Sequence, residues 1–344
     1  MPKPLRPPRF SNEKADPPIS PAERPFGRIA ACLDGSAVGE RIIPHALAVA
    51  RALQAPLTLL RVLEGRTTGG APPDPLEWDI RRRESRDYLE RLAERGAGEG
   101  SVETEVIEGQ AAEEICLWAR HHGVAFTVLC SHGVSGETEW SLASTARKLV
   151  EGAPGSFLLV PAAAATKEPV ARYRRLLVPV DGSPAAESVL PLARRLAEAH
   201  GAELVLAHVV PVPELTETGP LDAEDLELQE RLIRRNERVA NEYLDRLRAK
   251  LADSEAPVRA IVLRGGDARR RLARLIAEEG VDLVVLSAHG RSARADVALG
   301  SVAAYLVAHA ETPLLIVRRR AAAAMRRMAR AGREDVRLPS QATP

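Results

Sequence analysis

Aromatic residues are scarce in this 344-residue chain, where Phe, Trp and Tyr together make up 3%. Binding of single-stranded nucleic acid usually depends on bases stacking on aromatic side chains, so this composition argues against that function. The three cysteines, Cys32, Cys116 and Cys130, are too few for a disulfide framework, and their spacing fits no metal-ligand motif. We expect them to be buried neutral thiols in a reducing compartment.

A charge imbalance and long apolar runs are also absent. The 48 basic and 47 acidic residues give a net charge of +1, so bulk electrostatics favours neither nucleic acid nor a membrane as partner. No apolar run approaches the roughly 18 residues that a membrane-spanning helix needs. The segment 1–25 is rich in proline and has no apolar signal-peptide core. We therefore expect a cytoplasmic protein with a disordered leader, no membrane contact and no nucleic-acid partner.

The sequence contains an internal repeat. Ile29-Ala-Ala-Cys-Leu-Asp-Gly-Ser36 matches Leu176-Leu-Val-Pro-Val-Asp-Gly-Ser183, and Leu57–Val62 matches Leu204–Val209 at the same separation. Val128–Gly133 matches Val285–Gly290 at a separation ten residues larger. Because order and direction are kept over most of each copy, the chain is predicted to hold two copies of one unit. The ten extra residues are assigned to an insertion between the second and third strands of the second copy.

Apolar runs alternate with helical segments within each copy. Five strands rich in Val, Leu and Ile and four crossover helices predict an α/β fold, with a parallel sheet that carries helices on both faces. The first helices are predicted at Val38–Leu53 and Ala185–His200. The predicted organisation is a leader (1–25), a first domain (26–161), a linker (162–171), a second domain (172–318) and a solvated Arg/Ala-rich tail (319–344).

Two segments of each copy follow strands at the edge where open parallel sheets bind ligands. One is the Asp-Gly-Ser turn after the first strand, and the other is the loop after the fourth strand. In the second copy, Gly290 permits a positive φ and would let backbone amides turn toward an anion. Gly300-Ser301 opens a helix whose free N–H groups suit a phosphate. Each feature also has a structural explanation: the glycines allow a tight turn and close packing, and the Asp and Ser residues cap helices.

With these features the sequence resembles the universal stress protein family over residues 26–161 and 172–318. Many members of that family bind ATP through a G-x-x-G pattern, nine residues and G-S/T, and Ser287 here stands in for the first glycine, with His289 just before the second. The resemblance implies the strand order 3-2-1-4-5 in each domain, with adenine near Pro179 and Val209 and ribose near Asp181. The phosphate contacts that it implies are Gly290, Arg291, Ser292, Gly300, Ser301 and Val302.

The first copy departs from the family pattern. Cys130 and Ala143 replace the first and third glycines, Cys32 replaces the proline before the turn, and Arg61 replaces the histidine of the second strand. Glu137 and Glu139 would also oppose a triphosphate. The corresponding, weaker contacts of this copy are Asp34, Val62, Gly133, Ser135 and Ser144. We therefore predict that the second copy binds ATP and that the first binds it weakly or not at all.

The resemblance implies an ATP-binding stress-response sensor or regulator, with Mg²⁺ as the usual companion of ATP. The sequence has no Walker-type lysine, no dinucleotide fingerprint and no evident nucleophile, so no catalytic residue is assigned and fast turnover is not expected. Slow ATP hydrolysis, a general-base role for His132 or His289, and a scaffold with decayed sites remain alternatives. The two domains are expected to pack as a pseudo-dimer through their last strands, or the chain to form a homodimer.

Overall fold

The computed structural model describes residues 27–65, 74–96, 102–131, 144–164, 166, 168–215, 221–291 and 297–318. The predicted leader and tail, and the linker positions 165 and 167, lie outside the described residues. The first half of the fold runs from β1 to β5: β1 Arg28–Leu33, α1 Ile42–Leu53, β2 Leu57–Leu63, α2 Pro75–Gly96, β3 Val102–Glu108, α3 Ala111–His121, β4 Val124–Cys130, α4 Ser144–Gly152 and β5 Ser156–Val160.

The second half repeats this order and runs from β6 to β10. Its elements are β6 Arg175–Pro179, α5 Pro184–Glu187, α6 Leu190–His200, β7 Glu203–Val210, α7 Ala223–Lys250, β8 Val258–Arg264, α8 Ala268–Glu278, β9 Leu283–Ser287, α9 Ser301–His309 and β10 Leu314–Val317. The α/β fold predicted from the sequence is thereby confirmed. The long α7 begins at a capping box, in which Asp222 and Asp225 each accept the backbone N–H of the other.

The strands form one ten-stranded sheet in the order β3-β2-β1-β4-β5-β10-β9-β6-β7-β8. Each half therefore has the predicted order 3-2-1-4-5, but the two predicted sheets are a single sheet. Strands are parallel within each half, and β5 and β10 pair antiparallel, with Leu158 opposite Leu315. Both strands are fully buried. An exposed edge at either strand would leave backbone groups unpaired, and this pairing removes both edges.

The insertion in the second half is divided between two places. Leu57 of β2 pairs with Val102 of β3, whereas Leu204 of β7 pairs with Val258 of β8, which places nine of the ten extra residues between those strands. The tenth lies in the Gly265–Gly266 turn after β8, where both glycines have positive φ. The prediction that all ten precede the third strand is therefore wrong by one residue.

Helices cover both faces of the sheet. The buried residues of α1, α2, α6 and α7 belong to one hydrophobic core, and those of α3, α4, α8 and α9 belong to the other. The first core contains Tyr173, which is 1% exposed. In the described part of the chain, no helix is both long enough and apolar enough to cross a bilayer.

The first crossover helix of each half differs from the prediction. A short 3₁₀ turn, Gly39–Arg41, precedes α1. In the second half the predicted helix is divided into α5 and α6, where Ser188 Oγ donates to the Ala185 carbonyl and its backbone N–H is shared by two carbonyls. Local hydrogen bonding of a serine side chain competes with regular helix in this way.

Candidate functional site

A cleft of about 390 Å³ opens at the carboxyl edge of the second half, between the ends of β6, β7 and β9 and the helices α8 and α9. This is the edge at which open α/β sheets bind ligands. Ten of the eleven residues predicted for this copy line the cleft: Pro179, Asp181, Val209, Ser287, His289, Gly290, Arg291, Gly300, Ser301 and Val302. The eleventh, Ser292, lies outside the described residues. The structure thus brings the predicted set together, and their contacts with a ligand remain a prediction.

Asp181 ties the turn after β6 to the loop after β9. Its Oδ1 accepts the backbone N–H of Ser183 at 3.0 Å, and its Oδ2 accepts that of Arg291 at 2.7 Å. Burial raises the pKa of Asp181, but the bonds from Ser183 and Arg291 outweigh burial and hold it below the ordinary value of 3.8. The carboxylate is therefore ionised at neutral pH and fixed between two loops.

A glycine is required at position 290 because of a close contact and not, as the sequence suggested, because of a positive φ. Its φ is not in the left-handed region, so the predicted positive φ is wrong. A Cβ at this position would instead stand 2.3 Å from Asp181 Oδ2. Only a residue without a side chain lets the loop approach the carboxylate so closely.

Gly300 is the N-cap of α9, and its own N–H already has an acceptor. It donates to the Ala288 carbonyl at 2.8 Å, while the Gly300 carbonyl accepts the N–H of Ala304. The prediction that backbone amides turn toward an anion is therefore wrong for Gly300 and Arg291, because both N–H groups donate to acceptors within the protein. The N–H groups of Ser301, Val302 and Ala303 open the helix and have no acceptor within it. These three residues line the cleft and carry the positive end of the helix dipole.

Most of the remaining cleft wall is apolar. Pro179 and Val209 lie beside Ala207 and Leu286 at the strand ends, and Leu272 of α8 faces them. Sequence reasoning missed Ala207, Ala268, Leu272 and Leu299. The spacing of Ala268 and Leu272, one turn apart at the start of α8, was the available signal that both share a face. The cleft thus combines an apolar wall with one end suited to an anion.

The rings of both histidines in the cleft are hydrogen-bonded to backbone carbonyls. His289 Nε2 lies 2.7 Å from the Val297 carbonyl, and His208 Nδ1 lies 2.8 Å from the Val180 carbonyl. A carbonyl can only accept, so each of these nitrogens carries a proton. Nε2 of His289 is therefore not available as a general base in this arrangement.

The corresponding region of the first half has different contacts. Asp34 is exposed, and among the described residues its Oδ1 accepts both the backbone N–H and the hydroxyl of Ser36. The Arg61 guanidinium lies over the Tyr88 ring at 5.1 Å and covers Gly35, where a Cβ would meet Nη2 at 2.7 Å. At the equivalent Gly182, no atom lies within 4 Å of such a Cβ. Arg61 thus occupies space that the second half leaves open.

The remaining predicted positions of the first half are only partly described. Val62 is half-buried at the end of β2, as Val209 is in β7. Gly133 and Ser135 lie outside the described residues, and Ser144 is described only as the first residue of α4. Cys32 stands where the second half has Pro179, and burial, with a smaller contribution from Cys116, raises the pKa of its thiol to about 12. This agrees with a neutral thiol, but all three cysteines are half-buried, so the prediction that they are buried is wrong.

Comparison with known proteins identifies relatives that align with less than half of the chain. The universal stress protein MJ0577 of Methanocaldococcus jannaschii is 23% identical over 157 residues, which are 43% of this chain and 96% of that protein. A universal stress protein of Thermus aquaticus, named for its position in the QAH/OAS sulfhydrylase 3′ region, is 32% identical over 147 residues, or 42% of this chain and 99% of that protein. Both relatives therefore match the length of one half.

A solved structure matches both halves together. The crystal structure of a universal stress protein from Archaeoglobus fulgidus superposes with a TM-score of 0.59 and 15% identity, and the match covers 86% of this chain and 99% of that one. At this identity the likeness shows the fold alone. The family model described as the universal stress protein family matches residues 25–161 and again 172–318. The chain therefore belongs to the universal stress protein family and contains two copies of its domain in tandem.

Proposed function

We propose that the second half binds ATP in the cleft and that occupancy alters the conformation or partner choice of the protein in a stress response. The observation that carries this proposal is the composition of the cleft, which is apolar along Pro179, Ala207, Val209 and Leu286 and ends at the first amides of α9, which have no acceptor within the helix. A purine ring suits the first part, and phosphate oxygens suit the second.

The charges around the cleft support a polyanionic ligand. The start of α9 supplies partial positive charge, and Arg291 is exposed at the rim. The carboxylate in the lining, Asp181, already accepts two backbone N–H groups. Its oxygens are thus poor ligands for a protein-held Mg²⁺, and an ion bound here would depend on the phosphates themselves.

The same geometry argues for binding rather than fast turnover. His289 and Asp181, the groups nearest to a catalytic role, are both engaged by backbone atoms. A scaffold function is a second candidate, favoured in the first half by the guanidinium of Arg61 over Gly35. A cytoplasmic location stays a prediction from composition.

Mass spectrometry of nucleotide released from the purified, denatured full-length chain separates these functions. Co-purified ATP, or uptake of added ATP to one molecule per chain, is the expected result. Absence of nucleotide with no uptake would contradict the proposal and favour the scaffold. Steady release of ADP from added ATP would contradict the binding-only account and favour slow hydrolysis.

A further inference from the structure

A buried histidine, His45, and a half-buried one, His200, lie where α1 of the first half packs against α6 of the second. His45 of α1 is 5% exposed, and its ring is 5.9 Å from the ring of Tyr173, which precedes β6. His200, the last residue of α6, contacts the same tyrosine edge-on at 4.8 Å. Nearby, Ala171 N–H donates to the Pro44 carbonyl and Arg195 Nε donates to the Ala52 carbonyl, so this region joins the two halves.

The burial and hydrogen bonds of His45 fit a neutral ring. Nε2 lies 3.1 Å from the Ala164 carbonyl and therefore carries the proton, because a carbonyl can only accept. Nδ1 then accepts from the Tyr173 hydroxyl at 3.0 Å. A second proton on Nδ1 would require the Tyr173 hydroxyl to accept instead of donate, and it would bury a positive charge.

His200 is in a similar position. Its Nε2 is buried and, among the described residues, has no hydrogen-bond partner. Burial lowers the pKa of His200, the backbone at Ala48 of α1 partly opposes this, and the charge of Arg172 lowers it further. Burial likewise lowers the pKa of His45, against the smaller effect of the Ala164 carbonyl.

The charged groups on the elements packed around the two rings are mostly basic. Those on α1, on α6, and on the segments beside Tyr173 are Arg41, Arg51, Arg194, Arg195, Glu198, Glu168, Arg172, Arg174 and Asp282. Asp282 is the acidic group that acts on Tyr173, and its Oδ2 is occupied by the N–H groups of Arg174 and Arg175. The surroundings therefore offer little compensation for a second proton on either histidine.

The internal repeat shows that neither histidine is needed to fill the core. Leu192 of α6 stands at the position that corresponds to His45, and Leu53 of α1 at the position that corresponds to His200. Both leucines are buried, at 1% and 0% exposure. Each half thus has a titratable ring where its counterpart has a hydrocarbon side chain, and both rings lie at the contact between the halves.

We propose that His45 and His200 form a pH-sensitive lock between the two halves, closed while both rings are neutral and loosened when they gain protons. Because the folded state disfavours the charged rings, their contribution to stability is fully present above the ordinary histidine pKa of about 6.5 and is lost as the pH falls below it. The lock would make the contact between α1 and α6 a sensor of acidification. It does not depend on nucleotide binding.

Hydrogen–deuterium exchange of the full-length chain at pH 7 and pH 5.5 tests this lock. The wild type is compared at each pH with a His45→Leu/His200→Leu double variant, so that the intrinsic effect of pH on exchange cancels. For amides of α1 and α6, the opening equilibrium of the wild type should rise, relative to the variant, by up to about tenfold per histidine between the two pH values. Amides of α8, far from the contact, should show no such change.

Two controls keep the test decisive. A His45→Gln/His200→Gln variant retains a donor and an acceptor on each side chain without titrating, and it replaces the leucine variant if that one is unstable. A His121→Gln variant changes an exposed histidine of α3 and should behave as wild type. Equal pH dependence of α1 and α6 exchange in the wild type and in either double variant would overturn the proposal.

Discussion

The two halves share one fold but differ at the edge where a ligand would bind. In the second half the space above Gly182 is open, and the two oxygens of Asp181 join two loops. Among the described residues of the first half, Arg61 covers the equivalent Gly35, and Oδ1 of Asp34 bonds within its own turn. The comparison teaches that the fold fixes the place of a site, whereas a few side chains at strand ends change the contacts that are made there.

The largest expected effect comes from Gly290→Ala. The added Cβ would stand 2.3 Å from Asp181 Oδ2, so the loop or the carboxylate must move and the Arg291–Asp181 bond is lost. We expect ATP affinity to fall by more than about tenfold, with a stability loss of about 1–3 kcal/mol. Isothermal titration calorimetry and denaturant unfolding measure the two effects.

The matched control for this substitution is Gly280→Ala. Gly280 has a φ of 58°, and no atom lies within 4 Å of the place that the added methyl group would take, so backbone strain of about 1 kcal/mol is the whole expected cost. ATP affinity should not change in this variant. If the Gly290→Ala variant bound ATP with wild-type affinity, the Arg291–Asp181 bond that connects the two loops would be irrelevant to binding.

The next effect is that of Gly300→Val. A Cβ here makes ordinary contacts, 3.5 Å from the Ala288 carbonyl oxygen and His289 Cα, but the two methyl groups of valine would extend over the start of α9. We expect roughly tenfold weaker ATP binding in equilibrium dialysis, with the fold retained by circular dichroism. Gly152→Val serves as control, because a Cβ there meets only Cys116 Sγ, at 3.9 Å. Equal ATP retention by the two variants would refute the phosphate assignment.

A smaller effect on stability is expected to distinguish Asp181 from Asp34, the equivalent aspartate of the first half. In Asp181→Asn one of two N–H groups loses its acceptor, since the amide nitrogen cannot accept, and we expect a cost of about 1–2 kcal/mol. In Asp34→Asn the single Oδ1 that accepts both bonds can be kept, so the cost should be below about 0.5 kcal/mol. Urea unfolding of both variants at pH 7 measures the difference, and equal costs would contradict the proposed difference between the two turns.

Because the pKa of Asp181 is lowered in the folded state, the stability cost of Asp181→Asn should depend on pH. The contribution of Asp181 is fully present above the ordinary value of 3.8 and is lost as the pH falls through the folded value. The stability difference between wild type and Asp181→Asn should therefore shrink in acid. A difference that stays constant down to pH 2.5 would mean that the charge of Asp181 contributes nothing.

The smallest effect is expected for Arg61→His, which gives the first half the residue type that the second half has at His208. Loss of the contact with Tyr88 should cost about 0.5–1 kcal/mol. The loop positions Cys130 and Ala143 are unchanged, so the ATP stoichiometry should stay at one per chain by native mass spectrometry. A second bound ATP would show that Arg61 alone closes the first half.

Much of the fold could be predicted because it depends on local pattern. The buried strands are short runs rich in Val, Leu and Ile, such as β10, Leu314–Val317, and such runs are recognisable in the sequence. The division of the helix after β6 could not be predicted, because it depends on Ser188 bonding to a carbonyl three residues away. The β5–β10 pair confirms the prediction that the two domains pack through their last strands, but its antiparallel register could not be predicted, since nothing in a strand sequence specifies how it pairs with a strand more than 150 residues away.

The candidate site was predicted as a set of positions but not as a set of contacts. Asp181 and Arg291 are 110 residues apart, and only the folded chain shows that their bond is the reason for a glycine at 290. The Gly300 N–H was expected to face a phosphate, yet it bonds the Ala288 carbonyl. Sequence patterns identify which residues reach a sheet edge, and the donors that remain free there follow from long-range geometry.

The central claim is that the first amides of α9 hold the phosphates, and amide chemical shifts of the ¹⁵N-labelled full-length chain test it most directly. ATP should shift the amides of Ser301, Val302 and Ala303, whereas adenosine should shift mainly residues of the apolar wall such as Val209 and Leu286. The corresponding first-half amides of Thr145 and Ala146 should stay unchanged with both ligands. Shifts confined to the first half, or no difference between ATP and adenosine at the start of α9, would contradict the account.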